Sequence, residues 1–157
     1  MSTITSPKIT PFLWFDKEAE DAMKFYCSVF KNSKVKNVSR SGKDGPVFSV
    51  SFELEGQPFH AFNAGPMFKF NESISFFVNC EDQKEVDYFW NKFTADGGQE
   101  SRCGWLKDKF GLSWQIVPRH LGELMNDKDA AKAKRVVDSM MGMKKIIIAD
   151  LEKAYQG

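Results

Sequence analysis

The chain has 157 residues, enough for one compact domain with a core of its own. Its 22 basic and 21 acidic residues nearly cancel, which excludes a nucleic-acid binder that works by neutralising phosphate charge. No apolar run approaches the ~18 residues of a membrane span, and the N-terminal "MSTITSPKITPF" lacks the apolar segment of a secretory signal. Three cysteines without a C-x-x-C spacing fit reduced thiols. We therefore expect a cytoplasmic protein without nucleic-acid or membrane partners.

The first strands and the first helix lie in residues 7–65. "ITPFLWFDKEAEDAMKFYCSVF" begins as an extended apolar run and continues as an amphipathic helix, with Asp16 as the expected N-cap. "VFSVSFELEGQPFHAF" alternates polar and apolar residues on both sides of a turn at 55–56. A two-residue turn there pairs Ser51 with His60. The pattern predicts a first βαβββ module.

A second module follows at residues 73–118. "ISFFVNCEDQKEVDYFWNKF" repeats the strand–helix plan, with Asp82 and Glu85 as a capping box, and "GWLKDKFGLSWQIV" forms a hairpin that turns near 109–111. Beyond Pro118 the pattern is helical to about residue 155. We expect one domain over residues 1–157, made of two modules and a helical tail. The apolar side of the tail either covers the edge of the sheet or meets a second subunit.

Strand alternation assigns each side chain to one of two faces. The apolar face, which includes Phe48 and extends outwards to Ile9 and Ile74, is expected to pack against the helices. The other face mixes aromatic and polar groups, as small-molecule pockets do; a merely solvated face is the alternative, which so many aromatics disfavour. The residues predicted to contact a ligand in this pocket are Thr10, Phe12, Trp14, Ser51, His60, Phe62, Ser75, Phe77, Trp105 and Gln115.

The duplicated pattern resembles the vicinal-oxygen-chelate superfamily, which includes glyoxalase I, bleomycin-resistance proteins and extradiol dioxygenases. Within it the similarity is to the PhnB-like group, often labelled 3-demethylubiquinone-9 3-methyltransferase. The matching stretches are "ITPFLWF", "AMKFYCSVF", "AFNAGPMFKFNESISFFVNC" and "CGWLKDKFGLSWQIVP". The resemblance implies a homodimer and a cup. We expect an α+β fold in which two βαβββ modules form a cup-shaped, mostly antiparallel eight-stranded sheet.

Metal-using members of that superfamily place His, Glu or Gln at four strand positions, which correspond here to Thr10, His60, Ser75 and Gln115. Thr10 and Ser75 are poor ligands for a transition metal, so no metal and no cofactor is expected. A divalent metal at His60 and Gln115 is the alternative. His60 is the catalytic candidate, as an acid or base, and a buried structural histidine is the other interpretation. No glycine-rich turn follows a strand, so the residues do not support methyl transfer from S-adenosylmethionine.

The sequence favours a small-molecule binding protein that holds an apolar or planar ligand in an aromatic cup. One alternative is an enzyme on the same fold that acts at His60 and Gln115, as a metal-assisted lyase, isomerase or dioxygenase, or as the methyltransferase of the family label. Another is an interaction module that works through its C-terminal helices. In the last motif, Cys103 is a packed thiol or a nucleophile. Asp108 pairs with Lys107 or Lys109, caps the turn or acts as a base.

Overall fold

A computed structural model describes residues 7–157, so the first half of the stretch tested for a secretory signal lies outside the described residues. The chain divides into two compact units, the first ending at Phe70 and the second covering Asn71–Gly157. Within residues 7–157, each unit has a strand, an α-helix and three further strands in that order, and the second unit adds a 3-10 helix (Ala95–Gly97) and three α-helices.

Unit 1 is a four-stranded sheet with one helix. Its elements are β1 (Phe12–Phe15), α1 (Ala19–Val29), β2 (Ser33–Arg40), β3 (Val47–Leu54) and β4 (Gln57–Asn63). The strand order is β1-β4-β3-β2. Strands β1 and β4 are parallel, and the other two pairs are antiparallel.

Unit 2 repeats this topology with the order β5-β8-β7-β6. Its elements are β5 (Phe76–Cys80), α2 (Gln83–Thr94), β6 (Gln99–Glu100), β7 (Trp105–Lys107), β8 (Ser113–Pro118), α3 (Arg119–Met125), α4 (Ala130–Met141) and α5 (Ile148–Gln156). The predicted α+β fold of two βαβββ modules with a helical tail is confirmed. The eight strands are hydrogen-bonded as two four-stranded sheets, each with a single parallel pair, unlike a doubly wound parallel sheet.

The two main helices begin in different ways. Asp82 caps α2 as predicted, because its Oδ1 accepts from the amide of Glu85 at 2.9 Å. The predicted cap of α1, Asp16, is wrong: the helix begins after Glu18, which makes no side-chain cap. The amide of Ala19 instead donates to Oδ1 of Asn63 at 2.9 Å, from a residue 44 positions away at the end of β4. The sheet itself therefore caps α1.

The first hairpin has the predicted register, with Ser51 opposite His60. Glu55 and Gly56 adopt φ values of 48° and 82°, as the central residues of a tight primed turn require. The assignment of Phe48 to the core face is wrong. The β2–β3 register shifts between the pairs on either side of Phe48, and this bulge leaves its side chain 54% exposed.

Two isoleucines assigned to the core face are also exposed. Ile9 is 86% and Ile74 is 69% exposed. Each precedes the first residue of its strand, at Phe12 and Phe76. Alternation therefore holds inside the strands and fails where the ladder has not yet begun.

Asp108 organises the β7–β8 hairpin. Its Oδ1 accepts from the amides of Phe110 at 2.8 Å and Leu112 at 3.1 Å, and its Oδ2 accepts from Nε1 of Trp114 at 2.9 Å. The residue is only 2% exposed. Of the three roles proposed for Asp108, the structure therefore shows the turn cap.

The helical tail packs within its own unit. Val117 at the end of β8 and four residues of the tail segment form a buried apolar cluster, comprising Leu121, Val136, Ile146 and Leu151. The start of α5 is also hydrogen-bonded to Gln83 of α2. Nε2 of Gln83 donates to the carbonyl of Ile146 at 3.1 Å, and Oε1 of Gln83 accepts from the amide of Ile148 at 2.8 Å. No helix within residues 7–157 is both long and apolar enough to cross a bilayer.

We expect Asp108→Ala to lower the free energy of unfolding by about 3 kcal/mol or more, because three donors lose a charged acceptor. Denaturant unfolding measures this change. Asp44→Ala, which removes an exposed carboxylate, is the matched control and should shift stability by less than about 0.5 kcal/mol. Equal stabilities for the two variants would contradict the role given to Asp108.

Candidate functional site

The mixed face of unit 1 carries a cluster of aromatic side chains, called here the unit 1 face. Parallel pairing places Phe12 beside His60 and Trp14 beside Phe62. The loop after β4 adds Phe68, and the bulge in β3 adds Phe48. The unit 1 face thus consists of Phe12, Trp14, Phe48, His60, Phe62 and Phe68, together with Ser51.

The rings of the unit 1 face contact one another mainly edge to face. Phe62 lies at the centre, with its ring centroid 4.9 Å from those of both Phe12 and Trp14. Phe68 is 4.8 Å from Trp14, and His60 is 6.0 Å from Phe12. Phe12 is 61% and Phe68 is 60% exposed. The cluster is therefore ordered by ring contacts and still presents apolar surface to solvent.

One hydrogen bond fixes the orientation of the indole in this cluster. Nε1 of Trp14 donates to the carbonyl of Gly65 at 2.8 Å. The polar end of the indole is thereby satisfied by the loop after β4, which leaves the ring itself for packing. Gly65 has a φ of +85°, a conformation that glycine adopts without strain.

The polar groups of the unit 1 face lie along one cross-strand row. His60 is exposed, so the alternative of a buried structural histidine is wrong. Ser51 lies directly opposite His60 on β3, as predicted. Thr10 is half-buried and precedes β1, so it is not part of the strand ladder. The β1 residue that pairs with His60 is Phe12.

Unit 2 has a smaller face of the same kind, called here the unit 2 face. Gln115 on β8 lies between Phe77 on β5 and Trp105 on β7. Its Nε2 donates to Oγ of Ser75 at 2.9 Å. The neighbouring pair of Phe76 and Trp114 points the other way. The four predicted residues Ser75, Phe77, Trp105 and Gln115 are thus brought together.

The core side of unit 2 confirms this assignment of faces. Trp114 is 2% exposed, and its ring stacks on Phe93 at 4.5 Å. Phe76 is half-buried, with its ring 5.5 Å from Trp114. Phe77 is 52% exposed. Adjacent phenylalanines on β5 therefore have different roles.

A cation also belongs to the unit 2 face. Lys107 lies opposite Ser113, one pair along the β7–β8 ladder from Trp105 and Gln115. Its Nζ is 2.6 Å from Oε1 of Glu72, and this contact holds the pKa of the Glu72 carboxyl below its ordinary value. The sequence pattern suggested Lys107 only as a partner for Asp108. Its alternation with Trp105 is the signal that could have placed it on the face.

The donor set does not fit a transition metal. The strand positions paired with His60 and Gln115 hold Phe12 and Phe77, which cannot ligate. Ser75 is a weak ligand and already accepts a hydrogen bond from Gln115. Within residues 7–157, no three His, Cys, Asp or Glu side chains are grouped to hold an ion. No reaction step through a metal follows from these residues.

Cys27 and Cys80 do not provide an activated nucleophile. Burial raises the pKa of Cys27 and raises that of Cys80 to about 12, so neither is a thiolate at neutral pH. Cys103 is half-buried, with its Sγ 3.8 Å from Sδ of Met141. This contact agrees with the packed thiol that the sequence left open for Cys103.

A polar cavity of about 380 Å³ lies elsewhere in unit 1, near the start of α1, and Phe48 forms part of its wall. Lys17 and Arg40 are the cations in its lining, and Glu20 and Asp21 are the carboxylates. Nη2 of Arg40 is 3.3 Å from Oε1 of Glu20. Glu20 also pairs with Lys24 at 3.1 Å. The charges in this cavity are therefore largely balanced, and each of the two mixed faces remains a candidate site.

Comparison with known proteins assigns the chain to a family. The sequence model of the family described as 3-demethylubiquinone-9 3-methyltransferase matches residues 7–117. A PhnB protein from Bacillus cereus is similar at 33% identity, with 71% of this chain and 99% of that chain covered and a TM-score of 0.66. No curated protein sequence matches the chain.

Two more distant solved structures share the fold. A Pseudomonas aeruginosa protein is 16% identical, with 72% of this chain and 98% of that chain covered and a TM-score of 0.60. The fosfomycin resistance protein FosX of Listeria monocytogenes, solved with Mn(II) and sulfate, is 16% identical over 71% of this chain and 90% of that chain, with a TM-score of 0.51. The resemblance to the PhnB-like group is thus confirmed. The chain belongs to the family described as 3-demethylubiquinone-9 3-methyltransferase, which includes PhnB proteins.

Proposed function

We propose that this protein binds a planar, partly polar small molecule on its mixed aromatic faces and does not convert it. The observation that carries the proposal is the exposure of ordered aromatic rings, with Phe12 at 61% and Phe77 at 52%. Both belong to sheets whose opposite faces already supply a buried core. These rings are therefore surplus to folding, and their surface is available to a ligand.

The unit 1 face offers the larger set of aromatic rings in this proposal. Rings that meet edge to face leave flat surfaces and ring edges on which a planar molecule can stack. Because Trp14 is held by its bond to Gly65, little side-chain freedom is lost when a ligand binds. The ligand is accordingly flat and mainly apolar.

Each of the two faces has its own polar groups to orient a ligand bound there. His60 and Ser51 offer a ring nitrogen and a hydroxyl on the unit 1 face. Gln115 keeps its amide oxygen as an acceptor on the unit 2 face while its nitrogen donates to Ser75. A few such groups among aromatics are typical of specific small-molecule sites.

Binding without turnover follows from the chemistry of the same residues. Of the four strand positions that metal-using relatives fill with ligands, Thr10 and Ser75 are poor donors for a transition metal, and Ser75 already accepts a hydrogen bond from Gln115. The thiols of Cys27 and Cys80, whose pKa values are raised by burial, are protonated at neutral pH. We propose that the protein works without a metal or another cofactor. Metal analysis of protein purified without a histidine tag checks this, and one retained equivalent that His60→Ala removes would contradict it.

We expect Phe12→Ala to weaken binding of the neutral aromatic probe N-phenyl-1-naphthylamine by about tenfold, through lost apolar contact. Fluorescence titration measures the affinity. Val35→Ala is the matched control. Val35 is 50% exposed on the same sheet, and it is the cross-strand partner of the buried Phe52, so it lies on the other face from Phe12. Equal weakening by both substitutions would remove the basis for the unit 1 face as a binding surface.

The neighbouring phenylalanines of β5 give a second test. Phe77→Ala should weaken binding of the same probe by about fivefold and leave stability nearly unchanged. Phe76→Ala should lower the free energy of unfolding by about 2–4 kcal/mol, because its ring packs on Trp114. Thermal unfolding and probe titration of both variants make the comparison. If Phe77→Ala is the variant that unfolds, the assignment of the two faces is inverted.

We also propose that the protein is a homodimer, because large apolar side chains outside the two mixed faces are exposed, among them Met67 at 76% and Met141 at 59%. Light scattering at micromolar concentration should then give about twice the chain mass of 17.9 kDa. A mass equal to that of one chain would refute the proposal.

A further inference from the structure

The unit 2 face contains a buried hydroxyl that the fold does not use. Ser113 is 1% exposed, and its Oγ makes no hydrogen bond to any group within residues 7–157. A buried hydroxyl without a partner costs folding free energy, so its presence calls for an explanation. Ser113 lies two residues before Gln115 on β8, and alternation therefore places both side chains on the same face.

A cation stands next to this hydroxyl. Lys107 is the cross-strand partner of Ser113 in the β7–β8 ladder, and side chains in that relation lie within about 5.5 Å at Cβ. The adjacent pair on the same face is Trp105 with Gln115. A positive charge and an unused donor thus border the aromatic row of the unit 2 face.

The charge of Lys107 is met by a carboxylate that is easily displaced. Glu72 precedes β5, and its Oε1 is 2.6 Å from Nζ of Lys107. The side chain of Glu72 is 64% exposed, whereas that of Lys107 is 31% exposed. Exposed ion pairs contribute little to stability, so another anion can take the place of Glu72 at small cost.

We propose that the unit 2 face recognises the anionic group of an aromatic small molecule, with Lys107 as its cation and the Ser113 hydroxyl as a second donor. The anion, a carboxylate, sulfonate or phosphate, replaces the carboxylate of Glu72. The aromatic part of the ligand lies over Gln115, flanked by Phe77 and Trp105. This inference rests on the proposed binding function and narrows the ligand class from planar molecules to aromatic anions.

Two probes of nearly the same shape test the inference. 8-Anilinonaphthalene-1-sulfonate carries an anion, and N-phenyl-1-naphthylamine has the same ring system without it. Fluorescence titration of the full chain should give an affinity about tenfold higher for the sulfonate at low salt. This advantage should shrink as salt is raised, because ions screen the contact with Lys107.

Three substitutions locate the contact. Lys107→Met should lower the affinity for the sulfonate probe by about tenfold and the affinity for the neutral probe by less than about twofold. Glu72→Gln should raise the affinity for the sulfonate probe several-fold, because it removes the carboxylate that competes for Lys107. Ser113→Ala should lower the affinity for the sulfonate probe. It should leave the midpoint of thermal unfolding unchanged or raise it, since the hydroxyl has no hydrogen bond to lose. Lys109→Met is the control for charge, because Lys109 is exposed in the same hairpin.

The outcomes separate the inference from the proposed function. The inference is supported if Lys107→Met lowers the affinity for the sulfonate probe selectively and Lys109→Met does not. Equal affinity for the two probes, or equal effects of the two lysine substitutions, overturns the inference and leaves small-molecule binding intact. Failure of both probes to bind saturably overturns the proposed function and the inference together.

Discussion

The buried carboxylate of Asp108 determines the geometry of the second half of the molecule. By accepting from two amides of the turn and from the Trp114 indole, it fixes the length of the β7–β8 loop. A change of one residue in that loop would turn every side chain of β8 to the other face. The same three bonds that hold Trp114 in the core therefore also hold Gln115 and Ser113 on the opposite face.

The two units share the same strand pairing but carry different residues on their mixed faces. In unit 1 the central position of β4 holds His60, with Phe12 beside it on the parallel strand. In unit 2 the central position of β8 holds Gln115, with Phe77 beside it. The remaining neighbours differ, because unit 1 adds further rings and unit 2 adds a lysine. Duplication has thus kept the backbone pattern while the two faces acquired different chemistry.

Local rules are sufficient where the determining contact is local. The turn at 55–56 and strand alternation correctly predict the hairpin register and the opposite facing of Phe76 and Phe77. The N-cap of α2 is likewise predictable, because Asp82 lies three residues from the amide that it accepts from.

Long-range contacts are outside the reach of those rules. The Asn63 cap of α1 joins residues 44 positions apart, and no periodic pattern marks it. Phe48 was misassigned because a bulge interrupts the ladder. Phe68 lies in a loop, where alternation assigns no face, yet its ring reaches Trp14. In the candidate site the strand residues could be predicted, and the contributions of bulge and loop could not.

The tail helices lie beyond the segment that matches the family, which ends at residue 117. They are nevertheless bound into the fold, since the amides of Cys103 and Gly104 donate to the carbonyls of Met143 and Lys144 at 2.9 and 2.8 Å. A chain cut at the family boundary would leave both amides without acceptors and uncover Val117. Unpaired backbone beside bare apolar surface favours self-association. In this protein, the boundary of the family match is therefore not the boundary of the folding unit.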